Sequence, residues 1–140
     1  MKRLLSLMKC RSGGSAVEFA IVAPILFLTL FSLIGYGIYL SAAHAVQQIA
    51  ADAARTAVAG LNPAEREQLV RNYFTMSTMN HALLDMRNFT LQVRDDPQNP
   101  NQFTVSVDYD ASELPIFSLY SYAMPDPHIR RFSTMRIGGI

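Results

Sequence analysis

From Phe19 to Leu40 the chain runs 22 residues without a charged side chain, and most of them are apolar. An α-helix rises about 1.5 Å per residue, so this run reaches about 33 Å, enough to cross a hydrocarbon core about 30 Å thick. A membrane-spanning helix is therefore expected here. Pro24 lies inside it and cannot donate to the carbonyl of Ala20, so a kink is expected at that turn. Thr29, Ser32, Gly35 and Gly37 slim part of the helix for close packing, and Tyr36 and Tyr39 stand where an interfacial aromatic belt belongs.

Charge sets the orientation. Lys2, Arg3, Lys9 and Arg11 precede the span, and retained basic residues keep that end in the cytoplasm. Residues 14–140 then hold eight basic residues against 11 acidic ones, which argues against a nucleic-acid-binding surface, since that needs clustered basic residues. Cys10 is the only cysteine, so no disulfide can form within the chain. The residues before it, Met8-Lys9, depart from the small and apolar pattern of a lipoprotein acceptor. Removal of the leader would leave no cysteine at all, which suits an oxidising compartment.

A secretory signal puts its apolar core before the cut and discards it. Here the apolar run follows Gly13-Gly14, so a cut at the glycines would leave the anchor on the mature product. Ala43-His44-Ala45 offers a small-x-small alternative for signal peptidase. The apolar segment before it exceeds the roughly 7–15 residues of an ordinary signal core.

Glu18 is the one acid at the membrane edge. A carboxylate deep in a bilayer costs roughly 2.5–3.5 kcal/mol on insertion scales, and less near the interface. One reading makes Glu18 a marker of that interface. The other has it await a cation: a cut after Gly13 would create an α-amino group at Gly14, four residues upstream. That amine could meet Glu18 within one helix, or on a neighbouring subunit, and pairing makes a charge at that depth tolerable.

The helical pattern continues past Leu40. Ala42, Val46, Ile49, Ala53 and Ala57 recur at spacings of three and four on one face, with His44, Gln48, Asp52 and Arg55 opposite. A single helix over 15–59 would be roughly 68 Å long, so its outer half must leave the bilayer and pack on something else. Its alanine-rich face suits close helix-on-sheet or helix-on-helix packing, and Gly60 is the expected terminator. Asn62-Pro63-Ala64-Glu65 starts a second helix, with Asn as N-cap, Pro first and Glu three residues on. It is expected to run to about Met79, with Leu69, Val70, Tyr73 and Met76 inward and Glu67–Arg71 as an exposed i, i+4 pair.

Strict alternation in Phe89–Arg94 and again in Phe103–Tyr109, on either side of Asp95-Asp96-Pro97-Gln98-Asn99-Pro100-Asn101, reads as a hairpin with a flexible tip. The segment Leu114–Met124, interrupted by Pro115, reads as a short helix or covering loop. Ile129–Ile137 reads as a last strand. The fold class expected is α+β, with a long N-terminal helix on a small antiparallel sheet and a second helix.

Little in the chain suggests catalysis. His44, His81 and His128 lack metal-ligand spacing. Asp108, Asp110 and Glu113 crowd six residues but lack the glycine and the remaining ligands of a calcium loop. No nucleophile–base grouping or phosphate loop stands out, and Phe117, Tyr120 and Tyr122 read as core aromatics. No metal, no cofactor and no enzymatic activity is expected.

Gly13 with Glu18-Phe19, the apolar helix that follows, and Gln48-Ile49-Ala50-Ala51-Asp52-Ala53-Ala54-Arg55-Thr56-Ala57 together resemble the TadE-like family, minor pseudopilins of tight-adherence (Flp, type IVb) pilus systems. The resemblance covers roughly residues 13–60. It implies a pilin-like fold and cleavage by a prepilin peptidase between Gly13 and Gly14, with Glu18 fifth and Phe19 sixth in the mature chain as assembly and recognition residues. Residues 1–13 would be a cleaved cytoplasmic leader, 14–40 the transmembrane helix and 41–140 a periplasmic domain that includes the outer half of the long helix. The implied place is the bacterial inner membrane, single-pass, or the pilus itself. The implied partners are the peptidase, other minor pseudopilins, the major pilin, the inner-membrane assembly platform and the lipid bilayer. The competing reading is a signal-anchored or secreted periplasmic binding domain unrelated to pili.

Overall fold

A computed structural model describes residues 12–78, 84–120 and 124–137, so the leader up to Arg11 and the expectations for Met79, His81 and Tyr122 lie outside the described residues. The longest element is helix α1, Ser12–Ala57, and two compact units divide within it, between Gly35 and Tyr36.

In the first unit apolar side chains are exposed all round the helix, among them Phe19, Ile25, Phe27, Phe31 and Leu33. A helix that is hydrophobic on every side requires apolar surroundings. An 18-residue window of α1 has mean hydropathy 2.4 and none of it is buried; the helix is long and apolar enough to cross a membrane. Its hydroxyls are satisfied internally: Thr29 Oγ1 donates to the Ile25 carbonyl at 2.9 Å and Ser32 Oγ to the Leu28 carbonyl at 2.8 Å. Lipid offers no hydrogen bonds, so such back-bonding is what a membrane span would require of those residues. The helix runs on through Pro24.

In the second unit the expected stripe of α1 is buried: Ala42, Val46, Ile49, Ala53 and Ala57 are each 2% exposed or less. Ala43, Ala50 and Ala54 join them, while His44, Gln48 and Arg55 face water. Asp52 is half-buried and accepts from Arg55 Nη1 at 2.6 Å. Tyr39, expected in an interfacial belt, rests edge-on against Phe117 with ring centroids 6.3 Å apart. The helix closes by tightening: the N–H groups of Val58, Ala59 and Gly60 donate to the carbonyls of Arg55, Thr56 and Ala57. Gly60 serves by close approach and not as a left-handed terminator. A Cβ there would stand 2.7 Å from Arg66 Cγ and 2.8 Å from the Arg66 backbone nitrogen.

Helix α2, Pro63–Thr78, starts as its sequence specifies. Asn62 Oδ1 accepts from the Glu65 N–H and Glu65 Oε2 accepts from the Leu61 N–H, both at 2.9 Å, a reciprocal cap reaching one residue further back than the usual box. The Glu67–Arg71 pair forms at 2.6 Å in full solvent, where it adds only a few tenths of a kcal/mol. The inward face differs from expectation. Arg66, Val70 and Phe74 are buried, Leu69 and Tyr73 are half-buried, and Met76 is 74% exposed. The turned face sets Arg66 against a carboxylate: its Nη2 lies 3.1 Å from Asp95 Oδ2. Phe74 meets the edge of Phe89 at 4.8 Å, and Phe89 meets Tyr109 at 4.6 Å.

Strands β1 (Phe89–Asp95), β2 (Gln102–Asp110) and β3 (His128–Arg136) form one antiparallel sheet in the order β1-β2-β3. Phe103, Val105, Val107 and Tyr109 of the central strand are buried with Ile129 and with the alanine face of α1 in one cluster. The hairpin tip carries local side-chain bonds: Asp96 Oδ1 accepts from the Gln98 N–H at 2.8 Å and Asn99 Oδ1 from the Asn101 N–H at 3.2 Å. The short helix α3, Pro115–Tyr120, covers the core with Leu114, Ile116 and Phe117, as its apolar composition suggests.

Candidate processing and assembly segment

Gly13, Gly14, Glu18 and Phe19 all fall within the first eight residues of α1. Each glycine costs about 1 kcal/mol relative to alanine in a helix, so two adjacent glycines make the backbone at the Gly13–Gly14 bond cheap to unwind. A Cβ at Gly14 would meet nothing within 4 Å. Glu18 is exposed and Phe19 is 65% exposed. Gly14 and Glu18, four residues apart, stand one above the other on one helix face. The structure therefore sets Gly14, Glu18 and Phe19 on an exposed stretch at the start of the apolar span, with Gly13 the helical residue before them.

The rival cut after Ala45 meets a different environment. Ala42, Ala43 and Val46 lie mid-helix at 2%, 5% and 0% exposure, in the core of the second unit. Cleavage there would strip Ala42 and Ala43 from that core.

The acidic run on β2 is used up locally. Asp108 Oδ2 accepts from Arg130 Nε at 3.0 Å and Nη2 at 2.9 Å, with His128 Nδ1 3.6 Å from Oδ1. Asp110 Oδ1 accepts from the Ser112 N–H at 2.9 Å, which holds its carboxyl below the ordinary carboxylate range, and Glu113 Oε2 accepts from Asn88 Nδ2 at 2.9 Å. Among the described residues no three His, Cys, Asp or Glu groups could share a metal. Ser106 pairs with Phe132 and Asp110 with His128. Four residues of strand, about 13 Å, separate that serine from the histidine, too far for proton transfer. A shallow groove of about 750 Å³ does cross this open face of the sheet, between Arg87, Arg94 and Arg130.

At one end of the groove Asp85 caps the turn Met86–Asn88. Bonds from the Arg87 side chain, then from the Arg87 amide, hold the Asp85 carboxyl down to about 2, against 3.8 ordinarily. A lowered carboxylate favours the folded state above pH 3.8, and that contribution fades as pH falls toward 2. Arg87→Gln removes the side-chain bonds and leaves the amide bond of 2.9 Å, so the Asp85 midpoint should rise only part of the way toward 3.8. An NMR titration of the Asp85 carboxyl carbon reads it directly.

Residues 13–55 match the family model TadE, described as TadE-like protein. No curated protein and no solved structure matches the chain. The matched span covers Gly13, Gly14, Glu18 and Phe19 together with α1 almost to its end. Sequence reasoning missed Arg66 and Asp95, because an arginine four residues before a buried valine carries no apolar signal.

Proposed function

We propose, on the premise that residues 13–55 are TadE-like, that this chain is a minor pseudopilin of a tight-adherence pilus system. A prepilin peptidase cuts between Gly13 and Gly14, α1 holds the product in the bacterial inner membrane, and the C-terminal domain lies in the periplasm. The role is structural: the chain joins or primes a pilus-assembly complex with other minor pseudopilins, the major pilin and the assembly platform. One observation carries this reading: the family match coincides with a helix that carries two adjacent glycines, then Glu18-Phe19, and whose next turns are apolar all round. Cheap unwinding at the glycines suits a protease cleft, which binds extended backbone. After the cut, the new amine of Gly14 and the Glu18 carboxylate form a pair that lowers the cost of a charge at the membrane edge.

The chain is to be expressed with and without an active prepilin peptidase and its mass measured. A mature terminus at Gly14 is expected only with the enzyme, and an intact leader in its presence would defeat the proposal. Glu18→Ala should leave cleavage within about twofold while reducing incorporation into pili about tenfold or more, the scale of a lost charge pair at that depth. Normal piliation in that variant would remove the pairing.

A further inference from the structure

The third strand carries a feature that neither processing nor membrane anchoring uses. Three backbone bonds fix which of its groups face the sheet: Asp96 N–H to the Gln102 carbonyl, Ala111 N–H to the Pro127 carbonyl and Ile137 N–H to the Asn101 carbonyl, at 2.9, 2.9 and 2.7 Å. The last two prolong the β2–β3 register, in which Val105 opposes Ser133 and Val107 opposes Arg131. Bonded and non-bonded pairs alternate in an antiparallel ladder. The backbone of Ile129, Arg131, Ser133 and Met135 therefore points at β2, and that of His128, Arg130, Phe132, Thr134 and Arg136 points outward.

Part of this outer edge is already closed. The His128 N–H donates to Asp126 Oδ1 and the Arg130 carbonyl accepts from Arg131 Nη1, both at 2.8 Å. Among the described residues Phe132, Thr134 and Arg136 keep their outward groups unpaired. Beside them the Phe132 ring is 67% exposed. Strand β3 holds three arginines and no acid, and of these only Arg130 has a carboxylate partner, Asp108, among the described residues.

We propose that the outer edge of β3, from Phe132 to Arg136, docks an extended, acidic segment of a partner protein by strand addition. The free amides and carbonyls supply the ladder, Arg131 and Arg136 select for acid, and Phe132 covers an apolar side chain of the incoming strand. Arginine on an edge is a common defence against self-pairing, and here it has that effect: two copies of β3 would bring six arginines together. The same charges leave the edge open to the opposite sign. An anionic lipid surface would be drawn by the arginines but does not supply donors and acceptors in the alternating spacing of a strand ladder.

Phe132 and Arg136 share one face of β3 and Arg131 lies on the other. The test therefore uses the full chain in detergent micelles and fluorescence anisotropy with labelled hexapeptides that carry glutamate at both ends and valine next to one end, or the same with lysine in place of glutamate. Thr134→Pro deletes one outward N–H without removing a bond to β2, since proline is tolerated where the amide faces off the sheet. It also removes the hydroxyl contact of 2.8 Å with Thr104, so Thr134→Val is the control for that loss. The acidic peptide should bind, lose at least about tenfold with Thr134→Pro and with Arg136→Glu, and be unaffected by Thr134→Val. Amide exchange at Phe132 and Thr134 should slow in its presence, a readout that survives if the proline variant melts. Equal binding of the basic peptide, or no effect of either Thr134→Pro or Arg136→Glu, overturns the proposal. So does binding to phosphatidylglycerol vesicles without binding to peptide, and so does self-association that Thr134→Pro abolishes. The test needs neither cleavage nor a pilus, so its outcome is separate from that of the processing experiment.

Discussion

Asp95→Ala should cost the folded domain about 3 kcal/mol, which for a unit of this size lowers Tm by roughly 10–20 °C. The reason is what the substitution leaves behind. The Arg66 side chain is only 7% exposed, and Asp95 takes its Nη2 with both oxygens, at 3.1 and 3.3 Å. The other supports are weaker: Nη1 reaches the Gly60 carbonyl at 3.4 Å, the guanidinium carbon stands 5.5 Å from the centre of the Phe103 ring, and Nε has no partner among the described residues. Without the carboxylate, a cation remains buried between a long hydrogen bond and a ring face. Asp95 itself is one-third exposed, which is why the expected loss sits at the low end for a broken buried pair. Arg66→Met removes the cation together with its desolvation cost and keeps most of the packing, so it should be milder, about 1 kcal/mol. Thermal denaturation of the full chain in micelles, followed by near-ultraviolet circular dichroism of the core tyrosines, gives the ranking. Equal stability of Asp95→Ala and the parent chain would show that this pair does not hold α2 to the sheet.

That pair also marks where sequence reading stops. Periods were legible: alternation in Phe89–Arg94 and Phe103–Tyr109 became β1 and β2 in the expected hairpin, and the three-four spacing of Ala42 to Ala57 became the buried stripe of α1. Caps were legible too, because Asn62, Pro63 and Glu65 act on their own neighbours. Position 66 was not, since its inward turn depends on Asp95, 29 residues away and at the far end of another element. Once Arg66 turns in, Phe74 follows two turns later and Met76 is carried out to solvent. The hairpin tip was legible for the same local reason as the caps: Asp96 and Asn99 accept from backbone amides two residues on, as loop-forming aspartate and asparagine do.

The candidate segment is legible from sequence because it is linear. Gly13, Gly14, Glu18 and Phe19 need only a helix to stand in order, and the matched family span begins at the first of them. The edge of β3 has no such local signature. Which of its amides face outward depends on a register shared with β2, and one residue of slip would exchange Phe132 and Thr134 for Arg131 and Ser133. A sequence shows the arginines and the phenylalanine there; only the ladder shows that, among the described residues, the outward backbone groups of Phe132, Thr134 and Arg136 are unpaired.

Gly60→Ala is expected to destabilise by about 2–3 kcal/mol, although removing a glycine ordinarily stabilises by reducing unfolded-chain entropy. The new methyl would lie 2.7 Å from Arg66 Cγ, 2.8 Å from the Arg66 nitrogen and 3.0 Å from its Cα. The side-chain atom could swing aside, but the two backbone atoms cannot. The Arg66 N–H makes the first turn of α2, donating to the Asn62 carbonyl at 3.0 Å, and the Asn62 cap fixes that turn in place. The connection between α1 and α2 must therefore open. Opening it pulls the Gly60 carbonyl from Nη1 and displaces the guanidinium from Asp95, so the two losses overlap. In a double-mutant cycle, Gly60→Ala with Asp95→Ala should cost less than the sum of the single changes by about 1 kcal/mol. Simple additivity would mean that the clash is absorbed within the turn at 58–61, leaving the ion pair intact. Sub-additivity would mean that one glycine without a side chain sets the position from which Arg66 reaches the sheet.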